Sequence, residues 1–387
     1  MTAVAVTGIG VVSAFGHGVE PFWRGLTAGA CGLRPIRRFE VPPGVALGGE
    51  VPPLERQGLV LSAIGRRIDW LSLMALAACR LALADAGLGT RAPGRTGLGF
   101  GSAWGNLHET GVFLDRLFAR GQGNPLLFPN LVFNAPLSYA SIELGITGPT
   151  AMLCAAEASG EAALAWGADQ VAEGAVDVCL AGGAEELGAV LHQALRESGL
   201  LARAAPRPLD PAADGVCPGE GAAVLVLEPL ARARARGGRI HARLVAAPAF
   251  TVPAPVHGWA LDPVPVAEGL ADPLSDADVV FAAASGRPEL DALEAAALAR
   301  ALDGRSVAVT AVRGALGDFG AAGALATAAA ALAVSTGVVP PTVGIVPPAR
   351  AGLDVVTGAA RRDGLRSAVV NGLARGGICR PLRLEAA

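Results

Sequence analysis

The stretch GPTAMLCAAEASGEAALAWGADQV, Gly148 to Val171, decides the reading of this chain. Gly148-Pro149 is a turn signal. Ala151 to Cys154 is a short apolar run that reads as a strand. Glu157 to Val171 is Ala-rich and reads as a buried helix. The order is therefore turn, strand, tight corner, helix. Such a corner sets a side chain against the free N–H groups and positive dipole end of a helix. A cysteine there becomes a reactive thiolate. This chain carries Glu157 at the corner, followed by Ala158, Ser159 and Gly160.

Around that stretch lie 387 residues, 52% hydrophobic and 17% charged, enough for a large core and too many for one small domain. Mean hydropathy is high, +0.47, but Ala, Val, Leu and Gly cause it rather than any long apolar span. No membrane helix is expected. The opening MTAVAVTGIGVV has no basic leader region and reads as a strand, so the expected location is the cytoplasm. A net charge of −3 and the lack of a basic tract argue against nucleic acid. The Arg-rich run Ala231 to Arg239 reads as a solvated helix end. Six scattered cysteines without a CxxC pair read as reduced, mostly core residues, Cys154 among them. With five scattered histidines, neither a metal site nor a cofactor is expected.

Taken in order, Ala3 to Val12 is a strand containing Gly8-Ile9-Gly10. It lacks the third glycine and the acidic residue of a dinucleotide fingerprint, so these glycines read as turn residues. Ile68 to Gly87 reads as a helix, and Asn106 to Phe118 as an amphipathic one. Further strands are expected at Leu98–Ser102, Ala175–Gly183, Ala223–Leu227, Val279–Ala284, Val307–Ala311, Ala368–Asn371 and Ile378–Leu384. Helices are expected at Leu290–Leu302 and Gly320–Thr336. The alternation of strand and helix makes the chain α/β. The Pro-rich segment from 246 to 276 places a boundary between halves 1–245 and 246–387.

Several blocks carry a family likeness. One runs from Phe128-Pro129 through Asn134-Ala135 and Ser141-Ile142 to Gly148-Pro149. Others are Leu180-Ala181-Gly182-Gly183-Ala184-Glu185, Arg207-Pro208-Leu209-Asp210 with Asp214-Gly215, and Gly219-Glu220-Gly221-Ala222. With the corner, they resemble the β-ketoacyl synthases over nearly the whole chain. The resemblance implies a thiolase-type α/β fold with two similar halves in a five-layered αβαβα arrangement. It also implies catalytic positions. Condensing members use a Cys and two His, the Cys accepting an acyl group and the His residues assisting decarboxylation. Here the Cys position is Glu157. Pro288, Asp291 and Glu294 set the register of the first His motif and put its histidine at Ala283. Gly320-Ala321-Ala322-Gly323 puts the second at Gly317, and the Lys that precedes it at Val312. Alanine and glycine side chains transfer no proton. In the closing Gly-rich loop, Asn371 to Cys379, Leu373 replaces the gating Phe and Arg375 a second Phe.

The likeness therefore extends to the chain length factors, or ketosynthase-beta subunits, of type II polyketide synthases. These pair with a catalytic ketosynthase-alpha and reach the acyl carrier protein through that complex. Their corner residue in aromatic pathways is commonly Gln, so Glu157 leans towards a polyene-like system. Glu157 is expected to pair with one of Arg287, Arg313 or Arg375 and, with Leu373, to plug the former pocket, although each arginine alone reads as a surface residue. His108, Val112, Phe113, Leu117 and Phe133 are candidates for a tunnel wall or interface, with ordinary packing the competing reading. Two alternatives stay open: a malonyl-carrier-protein decarboxylase using Glu157, and a homodimeric binder of acyl chains.

Overall fold

In this computed structural model the described residues are 2–42, 44, 47–56, 58–63, 67–245, 247–346, 352–362 and 364–387. The first series of elements is β1 (Val4–Ser13), α1 (Trp70–Asp85), β2 (Thr96–Gly101), α2 (Leu107–Arg120), α3 (Ala135–Leu144), β3 (Thr150–Leu153), α4 (Ser159–Ala172), β4 (Val178–Glu185) and β5 (Gly221–Pro229). The second is β6 (Ala242–Val245), β7 (Val279–Phe281), α5 (Pro288–Leu302), β8 (Ala308–Thr310), α6 (Ala322–Thr336), β9 (Asp354–Val355), β10 (Ser367–Val370) and β11 (Leu382–Glu385).

These strands, with a two-residue partner of β1 at Gly16–His17, form a twelve-stranded sheet. Its order is β3-β2-β4-β5-β1-β6-β11-β10-β7-β8-β9. The first half runs third, second, fourth, fifth, first. The second half repeats that order around β6, with β9 added at the far edge. Strand senses repeat too: β2 is parallel to β3 and β4, β7 is parallel to β8 and β10, the added β9 is parallel to β8, and the remaining pairs of the order are antiparallel. Antiparallel pairing of β1 with β6 joins the halves. Because the order restarts at β6, we place the junction in the turn after the Leu230–Ala235 helix. The expected boundary residue, Ala246, lies outside the described residues.

Side-chain alternation assigns the layers. On β5, Leu225 and Leu227 join one core cluster with α4 and α6, while Val224 and Val226 join another with α1. On β7, Val279 and Phe281 face the α4/α6 layer and Val280 faces α5. The result is helix, sheet, helix, sheet, helix. The middle helix α6 is apolar nearly all round, AGALATAAAALAVST, as a helix sandwiched between the two halves of the sheet must be. Its alanines set the close spacing. Gly8 and Gly10 serve the same end. They lie inside β1, not in a turn, and a Cβ on Gly10 would stand 1.9 Å from the Ala78 oxygen of α1. The glycine pattern is thus a strand–helix contact.

Three other expectations change. Val279–Ala284 is strand only to Phe281, since the main chain beyond it turns to meet Glu294 and Asp291. Ile378–Leu384 is two short strands in different sheets, Ile378–Cys379 and Leu382–Glu385. The Arg-rich run is partly structural: Arg232 and Arg236 hold the fully buried Glu228 at 3.0 and 2.5 Å. Among the described residues no helix is long and apolar enough to cross a membrane, and no group of three or more His, Cys, Asp or Glu is placed to hold a metal.

Candidate functional site

The β3–α4 corner is tight. Ala156 adopts φ 47°, a left-handed conformation unusual for a residue with a side chain. Ser159 holds it there: its hydroxyl accepts from Ala155 N at 3.0 Å and donates to Ala156 O at 2.7 Å. Glu157 is thereby turned inward and is 8% exposed.

Three loops of the second half converge on it, from the ends of β7, β8 and β10. Arg375 follows β10. Its Nε lies 2.8 Å from Glu157 Oε1, although the N–H is not aimed at that oxygen, so this is a charge contact. Its main-chain N–H donates to Oε2 at 3.2 Å. The guanidinium carbon stands 5.5 Å from the centre of the Trp104 ring. Trp104 is carried by a turn fixed on Glu185, which accepts from Ser102 Oγ, Ala103 N and Trp104 N.

Arg313 approaches from the other side, donating to the Glu157 main-chain oxygen at 3.4 Å and to Asp318 at 2.7 Å. Burial opposes its charge, but Asp318 and Glu161 outweigh that and hold its pKa above the usual value. Arg287 lines the same 130 Å³ cavity without touching the Glu157 carboxylate by any hydrogen bond or ion pair among the described residues. The surface reading of the arginines is overturned: Arg287 and Arg313 are 8% and 2% exposed and Arg375 is half-buried. The folding of one half against the other encloses them. Leu373 is buried in a short strand beside Cys379.

The two histidine positions are closed. Ala283 is buried, and its N–H donates to Glu294 Oε1 at 2.8 Å. Gly317 has φ 95°, and a Cβ there would lie 2.6 Å from Gly219 Cα. Val312 is buried. Cys154 is not a packed core residue: it is exposed, at the sheet-edge end of β3.

The tunnel candidates sit elsewhere. No residue of α2 is buried. Val112, Phe113 and Leu117 are half-buried, and Phe133 and His108 are exposed. Phe113 meets Phe128 edge-on at 6.3 Å. Phe133 covers Gly105, and His108 belongs to a surface cleft with Arg38, Asp69 and Glu186. Leu114 and Phe118 (83% exposed) leave the outer apolar face of α2 open, and Leu126, Val132, Ile142 and Val190 are further exposed apolar side chains. β3 is the strand that ends the sheet.

Glu161 is a site residue that sequence reasoning missed. It is wholly buried, with neither carboxylate oxygen hydrogen-bonded among the described residues, and it fills the space left by Gly323. The available signal was a second carboxylate four residues after Glu157, at the start of the apolar run Ala162 to Trp166. Burial pushes its pKa up to about 7, with Arg313 opposing. Burial also pushes Glu185 and Glu294 up to about 7. A carboxyl that binds its proton more tightly when folded stabilises fully below its unfolded pKa. It loses that contribution as pH rises through the folded one. Stability is therefore expected to fall between about pH 4.5 and about pH 7, by on the order of 3 kcal/mol for such a group. Melting curves across this window should show Glu161→Gln losing less than the wild type. Equal slopes would contradict the assignment.

Comparison with known proteins agrees with this architecture. The chain matches the family descriptions "Beta-ketoacyl synthase, N-terminal domain" over residues 1–233 and "Beta-ketoacyl synthase, C-terminal domain" over residues 270–346. It is 33% identical over 346 residues to the tetracenomycin polyketide synthase ketoacyl synthase beta subunit of Streptomyces glaucescens, covering 83% of this chain and 82% of that one. It is 31% identical over 261 residues to the chloroplastic 3-oxoacyl-[acyl-carrier-protein] synthase II of Arabidopsis thaliana; that match covers 62% of this chain but only 47% of the relative. Among solved structures, the ishigamide ketosynthase/chain length factor superimposes with a TM-score of 0.91 at 30% identity, over 100% of this chain and 99% of that one.

Proposed function

Since the chain belongs to the β-ketoacyl synthase family, we propose that it is the non-condensing partner of a catalytic ketosynthase, in the role of a chain length factor. One observation carries the reading. The family fold is whole, yet the nucleophile corner is occupied by the Glu157–Arg375 ion pair, with Ala283 and Gly317 where proton-handling side chains would stand. The likeness to a ketoacyl synthase beta subunit and to a ketosynthase/chain length factor structure supports it.

The partner's place follows from the surface. An edge strand offers unpaired main-chain groups, and an apolar face beside it calls for cover. β3 is an edge strand, and α2 carries the exposed Leu114 and Phe118. A catalytic ketosynthase of the same fold covers them. Its acyl tunnel then ends against Val112, Phe113, Leu117 and Phe133, with His108 at the margin. The acyl carrier protein docks through the catalytic partner. The carboxylate at the corner keeps the lean towards a polyene-like product.

Two experiments test this. Co-expression with a catalytic ketosynthase from the same genome should give a one-to-one complex, and Phe118→Asp with Phe128→Asp should separate the chains. A stable homodimer that ignores the ketosynthase would overturn the proposal. Within the complex, Phe113→Ala or Phe133→Ala should shift products to greater length by deepening the tunnel. An unchanged product distribution for both removes these positions from the tunnel wall.

A further inference from the structure

A second cavity, of 580 Å³, opens beside the corner, between the Pro255–Pro263 loop and the outer face of α5. Its size falls in the range of about 300–1,000 Å³ usual for small-molecule sites. The wall is mostly apolar: Pro255, Trp259, Leu293 and the two alanines Ala292 and Ala296, which α5 presents to the opening. Arg287 stands at its inner end and also lines the small cavity at Glu157 and Arg375.

Arg287 differs from its two neighbours. Arg313 has Asp318 and Arg375 has Glu157. Arg287 is 8% exposed and has no ion pair among the described residues; its buried Nε has no hydrogen-bond partner. Its one noted contact is the Trp259 ring, 5.9 Å from the guanidinium carbon. The Trp259 ring offers the guanidinium no acceptor for its buried Nε–H, which is unmatched among the described residues. A buried cation without an anion is costly, and its donors fit a carboxylate.

We propose that this cavity binds an amphipathic monocarboxylate, its carboxylate on Arg287 and its unbranched apolar body along Trp259, Leu293 and the Ala292–Ala296 face. A monoanion is favoured over a phosphate dianion because the cavity has a single buried cation and Glu289 stands exposed in its lining. The site is distinct from the apolar face assigned to the partner chain and does not depend on that assignment.

The test is calorimetric titration of the full chain with decanoate, with decanol and decylamine as neutral and cationic controls. Decanoate is expected to bind one per chain and at least about tenfold more tightly than either control, as a charge-assisted fork requires. Arg287→Ala should weaken binding by at least about tenfold. Ala296→Phe keeps the cation, fills the cavity from an exposed helix position and should also abolish binding, so the site remains testable if the first variant fails to fold. Absence of decanoate binding, equal binding of decanol, or indifference to Ala296→Phe would overturn the proposal. No catalytic partner is needed, so this result stands apart from the outcome of co-expression.

Discussion

Leaving this chain out of a reconstitution with its catalytic ketosynthase is expected to abolish product formation, whereas Glu157→Ala in the two-chain complex is expected to leave both product and carbon dioxide release nearly unchanged. The first half follows from the apolar face. A ketosynthase that loses the chain covering it exposes the wall of its own tunnel. The second half follows from the corner. A carboxylate that takes or gives a proton in the rate-limiting step contributes about 10²–10⁴-fold. Glu157 is poorly placed for that. One oxygen is held by the Arg375 main chain and the other lies against its guanidinium. Neither Ala283 nor Gly317 offers a group to stabilise the enolate that decarboxylation leaves. Measuring both product and carbon dioxide from malonyl-carrier protein separates the readings. A loss of about 10²-fold or more on Glu157→Ala would make the chain a decarboxylase.

The other large effect concerns stability. Gly317→His, the change that puts a histidine where the family resemblance sets the second one, is expected to destabilise the fold by roughly 2–6 kcal/mol. Backbone held in a glycine conformation contributes about 1–3 kcal/mol of strain, and overpacking contributes about 1–3 kcal/mol more. The clash is with main chain: a Cβ at 317 would stand 2.6 Å from Gly219 Cα and 2.9 Å from Pro218 O. No side-chain rotation relieves it. Denaturant unfolding with linear extrapolation measures the loss. A change below about 1 kcal/mol would mean that this turn adjusts readily. The expected corollary is that restoring Cys at 157 and His at 283 and 317 together does not restore a condensing enzyme. On the proposed reading, the backbone at Gly317 as well as the three side chains would then stand in the way of condensation.

Much of the fold was legible. The corner from Gly148 to Val171, the Ala-rich α6 and the helix at Trp70–Asp85 obey local periodicities that the tertiary structure leaves intact. The expectations that failed involved contacts between distant segments. Gly8 and Gly10 had no local mark distinguishing a turn from a helix packed across the strand. Ile378 to Leu384 had the composition of one strand, but it divides between two sheets. The helix at Leu107–Arg120 was read as amphipathic, and nothing in its pattern said that none of its residues would be fully buried among the described residues.

By itself the sequence determined the α/β class and the alternation that builds the layers. Those are properties of residue type and short-range order. Only the tertiary structure decided which arginine meets Glu157, because positions 157 and 375 are 218 residues apart and meet where the loops of one half close on the helix start of the other. It likewise decided that, among the described residues, Glu161 is sealed in without a hydrogen bond to its carboxylate, that Arg287 has no ion pair, and that Phe118 stays exposed. A periodic pattern shows that a side chain has an apolar or charged neighbour to seek. The packing of layers decides whether that neighbour belongs to the same chain.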